Sequence, residues 1–271
     1  LLKGLTPESV EKIYEEETPS PAVAEKKEPV LSLKTLSGYG FADVNLDVYP
    51  GEVLGMTGVV GAGKTELATT LYGRDKVLSG KVYLNGEDIT GLKTKRIIAK
   101  GLNYLPEDRF LNGIFKLTTV RNNITSITLA NLKRILINTA QEKSLAKKYI
   151  DEFHIKVTGD GQIMGSLSGG NQQKVILAKW LLANSKILIL DEPTRGIDVN
   201  AKSEFYGLMN EFVAQGGAII MVSSELPEII GISDRILVMC EGHVSGELDY
   251  TEATEEKIMA FASVKGGMQT A

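Results

Sequence analysis

The stretch Val53-Leu54-Gly55-Met56-Thr57-Gly58-Val59-Val60-Gly61-Ala62-Gly63-Lys64-Thr65 decides the fold. Val53 to Thr57 is a short apolar run of strand character. Gly58 to Thr65 fits the pattern G-x-x-x-x-G-K-[ST], and Lys64 to Leu71 reads as a helix. Strand, glycine-rich loop and helix in that order make an anion nest. The glycines let backbone N–H groups turn inward, and the helix N-terminus adds positive dipole. Lys64 is placed to reach β and γ phosphates, Thr65 to hold Mg²⁺, and Glu66 follows them on the first helical turn. The alternative, a glycine-rich turn with a chance Lys-Thr pair, lacks the flanking strand and helix found here.

Working outward, Ile187-Leu188-Ile189-Leu190-Asp191-Glu192-Pro193 is a fully apolar strand that ends in two acids. In an open α/β sheet ligands bind at the carboxyl ends of the strands, so both acids fall where a nucleotide would lie. Asp191 is the candidate Mg²⁺ ligand, through water, and Glu192 the candidate general base that polarises the attacking water. Taken alone, the same residues could be a strand ending in a solvated turn. Further strand-like runs are Val30–Leu36, Phe41–Val48, Lys81–Leu84, Ala218–Val222 and Ile236–Cys240. Thr94 to Phe153 reads as mostly helical, broken at Leu102–Pro106, and another helix runs from Gly169 to about Ala183. Buried strands alternating with helices predict an α/β fold with a mostly parallel sheet.

The 271 residues suit one large domain or two small ones. A balance of 30 Lys+Arg against 34 Asp+Glu, net −4, argues against a dedicated nucleic-acid binder. Cys240, alone, forms no internal disulfide, and no apolar run approaches the roughly 20 residues of a membrane-spanning helix. Leu1 to Pro29 lacks the apolar core of a signal peptide. Its seven Glu against four Lys and its four prolines read as a linker, with a short helix expected at Glu8–Tyr14. The folded body is expected over 30–263, with a flexible tail at 264–271. His243 is expected in an exposed turn; His154, Cys240 and Trp180 carry structural readings.

Leu167-Ser168-Gly169-Gly170-Asn171-Gln172-Gln173 opens the second long helix. By itself such a segment is a turn and N-cap. Placed between the phosphate loop and the Asp-Glu strand, it resembles the signature loop of the ABC-type ATPases. The resemblance covers Val30 to about Ala262. It is closer still at Asn171-Gln172-Gln173 and Pro193-Thr194-Arg195-Gly196-Ile197-Asp198, which are similar to the second ATP-binding half of tandem sugar-importer ATPases serving ribose, galactose, xylose or autoinducer-2.

That resemblance implies a P-loop NTPase core with a mostly parallel sheet, an N-terminal antiparallel β subdomain and a helical signature subdomain over about 107–170. Residues 1–29 would be the tail of a preceding half and a linker. Two halves would pack head to tail, with each ATP between the phosphate loop of one and the signature loop of the other. Membrane permease subunits and, indirectly, an external solute-binding protein would be the partners, on the cytoplasmic face of the membrane. Tyr39 is the adenine-stacking candidate, with Phe41 as its rival. Asp198 stands at the interface-crossing D-loop, where it could equally be a helix N-cap. The region Arg109–Thr128 would receive the coupling helix of a permease.

Two positions depart from the family pattern. Glu107 stands in place of a Gln, where its carboxylate would repel the γ-phosphate unless Mg²⁺ or Arg109 compensates. Ser224 stands in place of the switch His and carries no charge. Both fall on this half's own phosphate-loop site. The expectation is therefore a slow site on Lys64, Asp191 and Glu192, with faster turnover at the partner's site. Two other readings stay open: a soluble ABC-type ATPase acting on ribosomes or DNA, and a degenerate regulatory half that clamps ATP.

Overall fold

Where an apolar run is continuous, both faces of a strand need cover; where it alternates, one face suffices. The computed structural model describes residues 28–129 and 138–263, and it contains a sheet of each kind. The expected helix at Glu8–Tyr14 and the expected tail at 264–271 lie outside the described residues.

The first sheet is antiparallel, in the order β2-β1-β4-β5, formed by β1 (Leu31–Gly38), β2 (Phe41–Val48), β4 (Ser79–Leu84) and β5 (Glu87–Asp88). On β2 the residues Phe41, Val44, Leu46 and Val48 are buried while Asp43 and Asn45 are open to solvent, so one face packs inward. The second sheet runs β10-β9-β3-β8-β7-β6. It comprises β3 (Val53–Gly58), β6 (Leu102–Leu105), β7 (Ile187–Asp191), β8 (Ala218–Val222), β9 (Arg235–Cys240) and β10 (His243–Asp249). All of its pairings are parallel except β9 with β10. Strand β7 is buried throughout: Ile187 and Ile189 join the core between the two sheets, and Leu188 and Leu190 join the core beneath the helices.

The helices are α1 (Lys64–Leu71), α2 (Thr94–Ala99), α3 (Val120–Leu129), α4 (Thr139–Glu152), α5 (Gly169–Leu182), α6 (Val199–Ala214), α7 (Leu226–Ile232) and α8 (Glu255–Ala262). Helices α3 and α4 fall within the stretch expected as a helical subdomain, and α3 packs on α5. The expected long helical region is more broken than its sequence suggests. A π-helical turn occupies Arg109–Gly113, and irregular chain continues to α3. Strands β5 and β10 and helix α8 escape the sequence reading. The first is two exposed residues, and β10 is an edge strand whose only buried side chain is Leu248. His243, expected in a turn, is instead the exposed first residue of β10.

The parallel register sets the site. Met56, Val222 and Asp191 align across β3, β8 and β7. The loops that leave these three neighbouring strands therefore emerge at one edge of the sheet.

Candidate nucleotide-binding and hydrolysis site

Two glycines shape the phosphate loop. Gly58 (φ 148°) lies so close to β9 that a Cβ would sit 2.1 Å from the Met239 carbonyl oxygen. Gly63 (φ 94°) forms the N-terminus of α1, where a Cβ would meet the Gly40 carbonyl oxygen at 2.5 Å. Only glycine combines these φ values with such close approach. Val59, Val60 and Gly61 form the open outer rim, and Ala62 is buried behind it.

Lys64 is buried beneath the loop, and its Nζ donates to the Gly58 carbonyl at 2.6 Å and lies 3.4 Å from Ser224 Oγ. Ser224 Oγ in turn donates to Glu192 Oε1 at 2.7 Å. The serine thus bridges Lys64 and Glu192. Burial lowers the Lys64 pKa, and the carboxylates of Glu192, Asp191, Glu107 and Glu66 push it back up. Glu192 follows β7 with φ 46°, a left-handed conformation that a non-glycine residue adopts at a cost of about 1–3 kcal/mol. Its N–H donates to the Val222 carbonyl at 2.8 Å, which fixes that turn and raises the carboxylate toward Ser224.

Asp191 is fully buried. Tyr104, on β6, donates its hydroxyl to Asp191 Oδ2 at 2.8 Å, and Oδ1 has no protein partner. Burial raises the Asp191 pKa to about 6, opposed by the Tyr104 hydrogen bond and the neighbouring Thr65 hydroxyl. A buried carboxylate with one open oxygen beside a threonine hydroxyl is a hard-oxygen donor set of the kind Mg²⁺ takes, with phosphate and water completing its shell. Among the described residues no three His, Cys, Asp or Glu side chains converge into a metal cluster. Tyr104 escaped the sequence reading; the signal was a phenol in an apolar strand whose Leu105 aligns with Leu190.

Glu107 is ion-paired with Arg195, where the sequence had offered Mg²⁺ or Arg109 as the compensating charge. Arg109 instead donates from Nε to Gln172 Oε1 at 3.0 Å and from Nη1 to the Arg195 carbonyl at 3.1 Å. Tyr39, in the turn between β1 and β2, is 64% exposed and stands beside Gly40, which abuts Gly63 and Glu66; Phe41 is 4% exposed and belongs to the core. Glu66 is itself exposed.

The signature segment packs against the loop that follows Glu192. Ser168 is exposed, Gly169 and Asn171 partly so, while Leu167, Gly170, Gln172 and Gln173 are buried. The buried side chains of Leu167, Gln172 and Gln173 pack inside this half, and two of them bond to backbone carbonyls. Gln172 Nε2 donates to the Leu167 carbonyl at 3.1 Å, and Gln173 Nε2 to the Pro193 carbonyl at 2.6 Å. Asn171 Nδ2 donates to Ser168 Oγ at 2.8 Å. Asp198 caps α6, accepting from Ala201 N at 3.0 Å.

A phosphate loop, a strand-end pair of acids and a serine–glycine helix start on one doubly covered sheet define a phosphate-loop nucleotide-binding protein. The chain belongs to the ABC transporter family, whose model matches residues 41–195. It is 48% identical over 239 residues to a putative ribose/galactose/methyl galactoside import ATP-binding protein of Rhizobium etli, covering 86% of this chain and 45% of that one. It is also 48% identical over 222 residues to the xylose import ATP-binding protein of Moorella thermoacetica, covering 82% and 44%. The chain thus spans about half the length of the curated relatives it matches. Its fold is that of an ATP-binding cassette solved as a post-hydrolysis dimer with ADP and Pi, at TM-score 0.71 and 20% identity, covering 81% of this chain and 98% of that one. It is likewise that of a nucleotide-free cassette, at TM-score 0.72 and 21% identity, covering 87% and 96%.

Proposed function

We propose that this chain is one ATP-binding and hydrolysing half, the C-terminal one, of a tandem sugar-import ATPase. The observation that carries this reading is the contact series Gly58–Lys64–Ser224–Glu192 beside buried Asp191, at the one sheet edge where a phosphate loop opens. The share of the sugar-import relatives that the chain covers supports a half rather than a whole.

ATP is the substrate. Its phosphates would lie on the N–H groups of Gly58–Thr65, and Lys64 would exchange the Gly58 carbonyl for phosphate oxygens. Thr65 and Asp191 would hold Mg²⁺, which supplies charge neutralisation on the phosphate oxygens. Glu192, held by Ser224, would orient the attacking water and accept its proton. Tyr39 would stack on adenine from the exposed turn. The other half would complete this site, and Ser168–Asn171 would complete the other half's.

Phe110, Leu111, Phe115 and Leu117 are exposed apolar side chains in the segment after the Glu107 loop, where permease subunits would dock at the inner membrane face. No helix among the described residues is long and apolar enough to cross a membrane. Substrate choice would rest with the permease and a solute-binding protein.

Glu107 and Ser224 favour a slower own site. In the full tandem protein, Glu192→Gln should lower transport-coupled ATP hydrolysis less than the matching change in the other half. Equal and complete loss from both would contradict the asymmetry. A second reading, a regulatory half that clamps ATP without hydrolysing it, draws on the same two residues. Single-turnover hydrolysis at this site in a tandem protein whose other half is disabled would exclude it.

A further inference from the structure

The Glu107 loop and the signature turn belong to different ATP sites, yet a continuous series of contacts joins them. Glu107 is ion-paired with Arg195. The Arg195 carbonyl accepts from Arg109 Nη1 at 3.1 Å, and Arg109 Nε donates to Gln172 Oε1 at 3.0 Å. Gln172 then donates to the Leu167 carbonyl at 3.1 Å. A Cβ built on Gly169 would sit 2.9 Å from Arg109 Nη2, so the guanidinium lies against the backbone of the signature turn itself. The root of Arg109 is fixed as well: Asp108 Oδ1 accepts from the N–H groups of Phe110 and Leu111 at 2.9 and 3.0 Å.

We propose that Arg109 is a positioning residue that locks the signature turn in register with this half's own Glu107 loop, so that nucleotide at one site is reported to the loop serving the other. This rests on the two-half reading above. The chemistry favours arginine specifically. One planar fork spans two acceptors, one on the first turn of α5 and one on the loop after β7, and fixes both distance and angle, which a lysine ammonium does not. Gln172 is 2% exposed, so water cannot replace the lost donor without a shift of the turn. Glu107 anchors the Arg195 end of the same series.

The experiment uses the full tandem protein with its permease in proteoliposomes. Arg109→Ala should lower kcat about tenfold or more, the scale of a small misplacement in an active site, with KM for ATP held within about twofold. Arg109→Lys should fail to rescue. Gln172→Ala should give a similar loss, and the double variant should be no worse than either, because both remove one contact. Hydrogen exchange supplies a readout that needs no turnover. Mg-ADP on this half's phosphate loop should change protection of the 167–173 backbone in the wild type and not in Arg109→Ala. Losses that multiply, rescue by lysine, or the same ADP-dependent protection in both proteins would overturn the proposal. A wild type that hydrolyses no ATP would instead overturn the functional reading, while the exchange comparison still decides the role of Arg109.

Discussion

Lys64 and Lys179 are the same side chain in two opposite settings. Each donates to a backbone carbonyl, Lys64 to Gly58 at 2.6 Å and Lys179 to Gly113 at 2.9 Å, and burial lowers both pKa values. Around Lys64 stand Glu192, Asp191, Glu107 and Glu66, whose negative charge opposes that lowering. Around Lys179 burial acts alone, with the Trp180 ring 4.5 Å from the ammonium. The first lysine sits at an open sheet edge, and its carbonyl partner is one that a phosphate oxygen can displace. The second joins the signature helix to the end of the π-helical turn. Burial of a lysine is thus no mark of function; what separates the two is whether the surrounding charge calls for a further ion.

The largest expected effect breaks the pair apart. Lys64→Ala in the tandem protein should lower ATP turnover at this site on the order of 10²-fold or more, as expected for loss of a preorganised charge at developing negative charge. The unfolding midpoint should move little, because the lost contact is to the loop's own carbonyl. Lys179→Met should leave turnover within a few-fold. Comparable activity losses from both, measured by ATPase assay beside thermal denaturation, would refute the distinction.

The open end of this comparison was largely legible in the sequence. Lys64, Thr65, Asp191 and Glu192 each sit beside an apolar strand run, and a motif plus strand polarity suffices to bring them to one edge. The supporting end was not. Arg109 meets Gln172 and Glu107 meets Arg195 only through tertiary packing, and nothing local in Pro106-Glu107-Asp108-Arg109 shows which arginine faces the carboxylate. Gln172 and Gln173 stand in a polar segment, and nothing local shows that helix geometry turns their side chains inward to the Leu167 and Pro193 carbonyls. The contact of Ser224 with Glu192 could not be read either, because it depends on the left-handed turn at Glu192 that lifts the carboxylate toward it. Edge strand β10 failed for a simpler reason: with one buried side chain it has no alternation to read.

A smaller effect tests whether the signature end works by packing. A Cβ on Gly170 would lie 2.5 Å from the Ala201 Cβ, where α5 crosses α6. Gly170→Ala should destabilise the protein by about 1–3 kcal/mol through overpacking. Ala201→Gly in the same chain should recover part of that stability, apart from its own helix-propensity cost of about 1 kcal/mol. Urea denaturation of the two variants and their combination checks this, and strict additivity would show that the two residues do not share a contact.

The finest test returns to Lys179 and to pH. Burial takes its pKa from 10.5 to about 8. Between these values the unfolded chain binds the proton and the folded one does not, so stability rises with pH across the window. Above about 10.5 the lysine is neutral in both states, and below about 8 the folded protein carries the full cost of a buried charge. Lys179→Met removes that titration along with a hydrogen bond, and the loss of the bond is the same at every pH. The stability of the variant relative to wild type should therefore be greatest near pH 7 and shrink by at most about 1.4 kcal/mol per pH unit above pH 8. Measurements are best held below pH 10, since buried Tyr104 has a raised pKa and its ionisation would destabilise the fold at higher pH. A stability difference that stays flat from pH 7 to 9.5 would mean that Lys179 is as solvated as an ordinary surface lysine. The contrast with Lys64 would then rest on neighbouring carboxylates alone.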